Sequence, residues 1–448
     1  MIRIIKLKTN QIKQRIIGNE HNKELLIGSS IAFFIRICAT LAVFLMNIFV
    51  ARYLGVYESG KFFLALAIIT ILGVVVRIGG DNVILRYVGI YAVEKQWGKI
   101  KKILRFFNIR TALTAILITI LLVIFRDFIS EKIFNNVTLN VTLGWMLFSV
   151  PFLGLYTLYA MGMQGVGRVL MSVAVQNIFV PVFLILFIVV FSPHTAASLS
   201  RLYLISSGLT FLLTVICWRF FMPQKSGITV KFDVEKDPSK KQLIKSAGSN
   251  WAILVMQQAL LWGGQFLSGM YGDPKQIAQL AIAQRTSMLI SFILVAVNLV
   301  SAPRFASLYK QRKMNELKKY TQNSTMLMIF FALPIVLFIL VFPGVIMSLF
   351  GKGFIEGIWM LRILAIGQFV NVITGSVNYL LTMSGFEKDV RNITFVVGIL
   401  SVMITFFFVR LYGALGASIA IAISVSAQNL SLVWMVKKRI GFTTMKIW

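Results

Sequence analysis

Residues 26–55, LIGSSIAFFIRICATLAVFLMNIFVARYLG, form an apolar run of membrane-spanning length with Arg36 deep inside it. A related run, LIKSAGSNWAILVMQQALLWGGQFLSGMYG, follows 217 residues later at 243–272. The match continues beyond this run, because IKK at 100–102 falls on LKK at 317–319 with the same spacing. We therefore interpret the chain as two copies of one half.

The composition excludes a soluble globular protein. Of the 448 residues, 58% are hydrophobic and 13% are charged, and the mean hydropathy is +0.83. Soluble domains are about half apolar and about one quarter charged. The first 25 residues are basic and polar without a continuous apolar core, so we expect no cleaved signal peptide and a cytoplasmic N-terminus.

Apolar runs of about 20 residues, the length that crosses the hydrocarbon layer as a helix, occur twelve times. They lie near 28–51, 60–85, 108–125, 142–161, 170–191, 200–221, 246–271, 278–302, 325–341, 358–383, 391–409 and 413–435. Most of the 45 lysines and arginines lie in the N-terminus, in every second loop and in the C-terminal tail. Since basic loops are retained on the cytoplasmic side, we predict an all-α polytopic membrane protein with both termini in the cytoplasm.

The longest polar interruption between the runs lies at 222–245 and contains two prolines. It divides the chain into an N-terminal lobe, 1–221, and a C-terminal lobe, 246–448, with six predicted transmembrane helices each. Because six is an even number, both lobes enter the membrane in the same direction, which is a parallel repeat. We expect a V-shaped central cavity between the two lobes.

Two basic segments, VEKQWGKIKKILRFF at 93–107 and LYKQRKMNELKKYTQ at 308–322, are equivalent in the repeat. We predict that both are amphipathic helices lying on the anionic inner leaflet. The net charge of +30 follows from such cytoplasmic loops. A nucleic-acid partner is therefore not expected.

Ionisable residues inside a span are costly in lipid and indicate a functional site. Arg36 lies too deep along its helix to reach the inner face easily. Arg77 and Asp81 are four residues apart and share a helix face, so either they form a salt bridge or Asp81 couples transport to an ion. Arg285 and Arg362 lie nearer the outer face, where Arg362 is expected to reach the interface.

Uncharged polar side chains accompany the arginines, and we select Gln257 and Gln284 as candidate cavity residues. Others in the same predicted helices or near them are Gln258, Trp262, Gln265, Gln368, Asn371, Asn378, Tyr156 and Tyr159. Amides and aromatic faces suit a sugar-bearing ligand, and they also join helices to one another. Cys38 and Cys217 lie in apolar runs, and the sequence has no His/carboxylate cluster and no phosphate-binding loop. We therefore expect no metal, no cofactor and no enzymatic activity.

Five short segments resemble a known family. They are NIFVARYLGVYESGKFFLALAI at 47–68, VRIGGDNVILRYVGIY at 76–91, YAMGMQGVGR at 159–168, SAPRFASLY at 301–309 and LLTMSGFEKDVRN at 380–392. In this order and spacing, over essentially the whole chain, they resemble the polysaccharide-exporter branch of the multidrug/oligosaccharidyl-lipid/polysaccharide (MOP) flippase superfamily. That branch includes the Wzx-type O-antigen flippases.

The resemblance implies a flippase that moves an undecaprenyl-pyrophosphate-linked oligosaccharide, such as an O-antigen repeat unit of lipopolysaccharide, across the bacterial inner membrane by alternating access. It implies that Arg36, Arg77 and Arg285 receive the pyrophosphate in the central cavity, since the arginine donor fork suits phosphate oxygens. Membrane lipids and polysaccharide assembly proteins, such as a polymerase or a chain-length regulator, are the implied partners.

Three other functions are open on the sequence. A multidrug exporter, or another lipid-precursor exporter of the same superfamily, is the main alternative, although the predicted helices hold only Asp81 to attract a cationic drug. A polysaccharide polymerase or ligase would need a large outer loop, which the sequence lacks. A channel or structural protein would leave the buried arginines without a role. The energy source, which is H⁺, Na⁺ or the lipid gradient alone, is likewise open.

Overall fold

The computed structural model describes residues 20–221 and 240–445. Throughout these two ranges the regular structure is helical, and no strand occurs in them. The helices are α1 (Glu20–Val76), α2 (Gly80–Val93), α3 (Trp97–Ile124), α4 (Arg126–Phe128), α5 (Leu139–Leu147), α6 (Val150–Gly165), α7 (Val169–Asn177), α8 (Phe179–Phe191), α9 (Ala196–Phe221), α10 (Lys240–Tyr271), α11 (Pro274–Lys310), α12 (Met314–Val341), α13 (Pro343–Ser348), α14 (Ile358–Ile373), α15 (Val377–Met383) and α16 (Glu387–Ile440). A π-helical turn occupies Ile129–Ile133, and a 3-10 helix occupies Lys352–Gly357. Most of the predicted linker, 222–245, lies outside the described residues.

Nine helical segments in the described ranges are long and apolar enough to cross a membrane. The prediction of an all-helical integral membrane protein is confirmed. The first of these segments belongs to α1, whose 57 residues would extend for about 85 Å if straight, against a hydrocarbon layer of about 30 Å. α1 folds back at Gly55, whose φ of 69° is a conformation that glycine adopts without steric cost.

The contacts of α1 with α11 demonstrate this reversal. Phe33 stacks on Phe292 with 6.1 Å between ring centroids, and the Phe63 ring faces the Arg285 guanidinium at 4.7 Å. The two α11 residues are two helical turns apart, whereas about half of α1 separates its two phenylalanines. Both halves of α1 therefore run along the same length of α11 in opposite directions. α16 also contains one non-helical residue, Gly413, with φ 57°.

The predicted second helix, 60–85, is wrong in its length because the chain breaks between α1 and α2. Ile78 and Gly79, in the break, have φ values of 48° and 71°. Arg77 therefore follows the end of one helix, and Asp81 lies in the first turn of the next. A carboxylate is stabilised at that position because the N-terminal end of a helix carries partial positive charge.

The predicted surface helix at 93–107 is also corrected. α3 is one continuous helix of 28 residues that begins at Trp97 and contains most of this segment. Its residues Ile100, Leu104 and Phe107 are buried in an apolar cluster that α2 shares. The apolar face of the segment therefore packs against a helix of the protein, so that α2 and α3 form a hairpin.

A second hairpin joins α11 to α12, so the predicted surface helix at 308–322 is divided by a turn. Lys95 in the first turn and Arg312 in the second have φ values of 54° and 56°, and they are 217 residues apart. The same backbone hydrogen bond closes both turns: from the Gln96 N–H to Tyr91 O at 2.8 Å, and from the Lys313 N–H to Leu308 O at 3.1 Å. α3 and α12 also have equal lengths of 28 residues. The local backbone geometry thus recurs at the spacing of the sequence repeat.

Helices α1, α10 and α11 bring the two halves of the chain together. We call the end of the bundle that contains Gly55 the closed end. There α1 and α11 touch at Gly60 and Pro274, where no space is left for a Cβ on the glycine. Arg52 also donates from Nε to the Leu349 carbonyl at 2.8 Å. The halves are therefore held together by direct backbone packing at this end.

The opposite end contains the turns at Lys95 and Arg312, and we call it the basic end. Here α10 packs on the last turn of α1, where the Trp251 indole N–H donates to Val75 O at 3.0 Å. The α1–α10–α11 seam therefore extends over the length of the bundle. The space beside this seam is the candidate site.

Candidate functional site

A cavity of about 840 Å³ lies between the two halves of the chain. Its wall consists of α1, α7, α10, α11, α14, α15 and α16 together with the end of α6. The lining residues of several helices lie toward the basic end: Gln164 is next to the end of α6, and Val169 begins α7. At the closed end, by contrast, a pocket of only about 40 Å³ lies beside Lys61, Gly269 and Pro274.

The lining of this cavity is positively charged. Arg36 and Arg285 belong to it, and no Asp, Glu, Lys or His is among the described residues that line it. Six asparagines and four glutamines add amide groups: Asn47, Asn177, Asn298, Asn371, Asn378, Asn429, Gln164, Gln176, Gln368 and Gln428. Such a wall favours an anion and offers many hydrogen-bonding groups to it.

The helical period of α1 brings Arg36 to the cavity. Arg36, Thr40, Val43, Phe44 and Asn47 follow at helical spacing and all line it. The Arg36 residue is partly buried, and the described part of the chain offers no carboxylate within ion-pair distance of it. A cation without a partner is costly at this depth in a membrane. A bound anion would remove that cost.

Arg285 lies between two aromatic rings. Its guanidinium carbon is 4.7 Å from the Phe63 ring centroid and 5.0 Å from that of Trp262. Nη1 donates to Ala281 O at 3.1 Å, one turn back along α11. No ion pair to Arg285 occurs in residues 20–221 and 240–445. The aromatic faces fix the plane of the guanidinium, and its other N–H groups can contact a ligand.

The structure does not bring Arg77 into this cavity. Its Nε lies 2.7 Å from Asp81 Oδ1, across the break between α1 and α2. The two side chains are 11% and 7% exposed, so the pair is buried. Asp81 therefore neutralises Arg77, which leaves Arg36 and Arg285 as the cations of the cavity wall.

The two selected glutamines do not line the cavity either. Gln284 is buried and accepts a hydrogen bond from Gln265 Nε2 at 2.9 Å, while its own amide donates to Leu261 O. These bonds join α10 to α11. Gln257 is half-buried on α10 and is not among the lining residues. Of the remaining candidates, Arg362 donates from Nε to Leu340 O at 3.2 Å and so caps the C-terminal end of α12.

Seven of the ten cavity amides were not selected from the sequence, although a pattern marks four of them. The dipeptide Gln-Asn occurs in two apolar runs, as 176–177 in α7 and as 428–429 in α16, and both pairs line the cavity. Asn177 and Asn429 donate from Nδ2 to the backbone carbonyls of Val173 and Val425, four residues earlier. Since a carbonyl can only accept, the amide NH₂ must face it, and the side-chain oxygen is left for the cavity.

A second group of polar residues lies where α14 ends. Asn371 Nδ2 donates to Ser291 Oγ at 3.2 Å, and the Ser291 hydroxyl donates to Gln368 Oε1. The helix then breaks at Gly375, with φ 75°, before α15 begins. Thr444, from the segment after α16, donates from Oγ1 to Thr374 O at 2.7 Å and fixes this break.

A metal site is not evident in the ranges that the structure describes, since no group of three or more His, Cys, Asp or Glu side chains is placed to hold one. The described cavity wall presents arginines, amides and aromatic rings. Groups of these types can bind anionic and hydroxyl groups.

Comparison with protein families gives two matches. The model described as polysaccharide biosynthesis protein matches residues 25–309, which is more than half of the chain. The chain belongs to the polysaccharide biosynthesis protein family. The MatE model matches residues 254–407 of this family member. Together these matches and the fold place it in the MOP superfamily.

Solved structures agree with this fold. The lipid II flippase MurJ in an inward closed conformation has a TM-score of 0.73 at 17% identity, covering 92% of this chain and 87% of that chain. An inward-facing multidrug resistance MATE family transporter of the MOP superfamily has a TM-score of 0.71 at 15% identity, covering 90% and 94%. The polysaccharide biosynthesis family member therefore has the fold of MOP transporters and flippases.

A curated relative also spans most of the chain. It is the uncharacterized membrane protein MJ1068 of Methanocaldococcus jannaschii, 21% identical over 413 residues, which are 88% of this chain and 80% of the relative. The similarity therefore extends over both halves of this family member.

Proposed function

We propose that this family member is a Wzx-type flippase. Its substrate is an undecaprenyl-pyrophosphate-linked oligosaccharide, an O-antigen or related repeat unit, which it moves from the cytoplasmic to the outer leaflet of the bacterial inner membrane. The observation that supports this most is the cavity wall, in which two arginines and ten amides occur without a described carboxylate. The membership in the polysaccharide biosynthesis family agrees with it.

The physical requirement on a flippase is to replace the water that a pyrophosphate loses on entering the membrane. Arg36 supplies a permanent positive charge and a donor fork for phosphate oxygens, and no neighbouring carboxylate competes for it in the described chain. The amides and Tyr379 of the wall can then bind sugar hydroxyls and ring faces. The polyprenyl chain stays in lipid.

Alternating access requires that the two halves separate at the closed end and approach at the basic end. We propose twelve transmembrane helices in two lobes, 1–221 and 246–448, joined by the linker 222–245, with the basic end and both termini in the cytoplasm. The recurrence of the Lys95 turn at Arg312 supports the repeat. The contact of Gly60 with Pro274 is then a seal that opens once in each transport cycle.

A multidrug exporter is the second candidate, because the MatE model matches residues 254–407. A cationic drug would meet two cations in the described cavity wall and no acidic group, which disfavours its binding. Deletion of the gene separates the two functions. A flippase mutant loses surface polysaccharide and accumulates lipid-linked repeat units on the cytoplasmic face. An increased sensitivity to small cations with normal surface polysaccharide would instead identify the multidrug exporter.

A further inference from the structure

Arg36 and Arg285 line the same cavity but at different depths. The stacked rings of Phe33 and Phe292 fix the register of α1 against α11 near the basic end. Toward the closed end, Arg36 lies three residues beyond Phe33 on α1. Ala281, whose carbonyl accepts a hydrogen bond from Arg285, lies eleven residues from Phe292 on α11 in the same direction. Counted from the stacked rings, Ala281 therefore lies eight residues deeper than Arg36, which is about 12 Å at 1.5 Å per residue.

The two side chains also lean away from each other. Side chains of a helix tilt toward its N-terminus, and α1 enters from the basic end whereas α11 starts at the closed end. Arg36 therefore leans toward the basic end, and Arg285 leans toward the closed end, as its bond to Ala281 O shows. The two guanidiniums therefore lie at different depths, which favours two separate anionic groups over one pyrophosphate as their ligands.

The surroundings of Arg285 form a separate subsite near the closed end. Trp262 supplies an aromatic face at 5.0 Å from the guanidinium carbon. Asn47 also lines this part of the cavity and is only 1% exposed. Its Nδ2 donates to Val43 O at 2.8 Å, and its Oδ1 is buried without a partner. A buried oxygen of this kind needs a donor, which a sugar hydroxyl supplies.

We propose, on the basis of the flippase function above, that Arg285, Trp262 and Asn47 form a subsite for an acidic sugar. The sugar carboxylate pairs with Arg285, the ring face lies against Trp262, and a hydroxyl donates to Asn47 Oδ1. Arg36 alone receives the pyrophosphate nearer the basic end. The cargo is then an oligosaccharide that carries a uronate-type residue, held at two anionic points.

Three matched probes test this subsite on the full-length protein in nanodiscs. They are undecaprenyl pyrophosphate, its glucosyl form and its glucuronosyl form; the two sugars differ in the group at C6, a hydroxymethyl in one and a carboxylate in the other. The wild type binds the glucuronosyl form about tenfold more tightly than the glucosyl form, since a charge-assisted bidentate pair is gained. Arg285→Gln removes this preference and leaves the affinity for undecaprenyl pyrophosphate unchanged.

Three further variants keep the test decisive. Arg36→Gln weakens the binding of all three probes and preserves their ratio, whereas Arg285→Lys keeps part of the preference and shows that the site tolerates substitution. Arg362→Gln, outside the cavity, leaves all three affinities unchanged. Equal weakening of all three probes by Arg285→Gln, or an unchanged preference, overturns the acidic-sugar subsite. If the wild type binds none of the probes, the flippase function itself fails.

Discussion

Gly60 lies against the backbone of Pro274 so closely that a Cβ on the glycine would overlap the Pro274 carbonyl. This contact joins the returning half of α1 to the first turn of α11. Neither residue is charged, and the fit depends only on the absence of a side chain. The contact at the closed end therefore depends on steric fit and not on charge.

Gly60→Ala should weaken this seal, because the added methyl must push α1 and α11 apart. We expect the closed end to become accessible, with increased labelling of a cysteine placed at Leu64, and transport to fall several-fold. Gly208→Ala is the matched control, since a Cβ there meets no atom within 4 Å. Unchanged labelling in Gly60→Ala would show that the contact does not hold the end closed.

Arg36→Ala should abolish surface polysaccharide while the protein still inserts and accumulates. Arg36→Lys should be partly active, because an ammonium keeps the charge but loses the donor fork. Immunoblots of membranes and polysaccharide staining measure the two quantities in one strain. Arg410→Ala, which removes an exposed arginine, serves as the control. Normal polysaccharide in Arg36→Ala cells would mean that this arginine is structural.

Asp81→Asn should destabilise the protein because it leaves Arg77 buried without its partner. Breaking a buried pair of this kind costs about 3 kcal/mol, which a shift in the thermal midpoint of the purified protein detects. The double variant Arg77→Gln/Asp81→Asn should recover most of that loss and retain transport. Loss of transport in both variants, with normal stability in the double one, would indicate that Asp81 couples an ion.

Arg312→Gly should stabilise the α11–α12 hairpin. Arg312 has φ 56°, where a side chain costs about 1 kcal/mol that glycine does not incur. Lys310→Gly, two residues earlier at the last residue of α11, should have the opposite effect, since glycine is less favourable than lysine in a helical conformation. Unfolding in mixed detergent compares the two variants. A lower stability of Arg312→Gly would show that its side chain makes a contact of its own.

Hydropathy predicted the helices because the hydrocarbon layer imposes both their length and their composition. It did not predict the interruption at Gly79, because the apolar residues on both sides of the polar segment 77–82 together fit one membrane-length run. The helical period places Arg36 and Asn47 on the same face of α1. Which helices pack beside that face depends on distant parts of the chain, and the sequence alone does not show this. Arg77 shows the same limit, because its residue type does not reveal whether a carboxylate or a ligand neutralises it.

The cavity amides were hard to select for a related reason. Gln284 and Asn429 have the same donors and acceptors, yet one joins two helices and the other faces the cavity. The difference depends on whether another helix packs against the amide, as α10 does against Gln284, and that depends on the tertiary structure. The position of Gln368, Asn371 and Asn378 within a predicted helix and the repeated Gln-Asn dipeptide were the available signals at the level of sequence.

The bond from Thr444 to Thr374 has a consequence for biosynthesis. Seventy residues separate the two, and the later one fixes the helix break beside the cavity. During translation, the α14 side of the wall is therefore inserted well before the segment that holds its shape has been synthesised. The shape of this part of the cavity wall is therefore completed only after Thr444 has been synthesised.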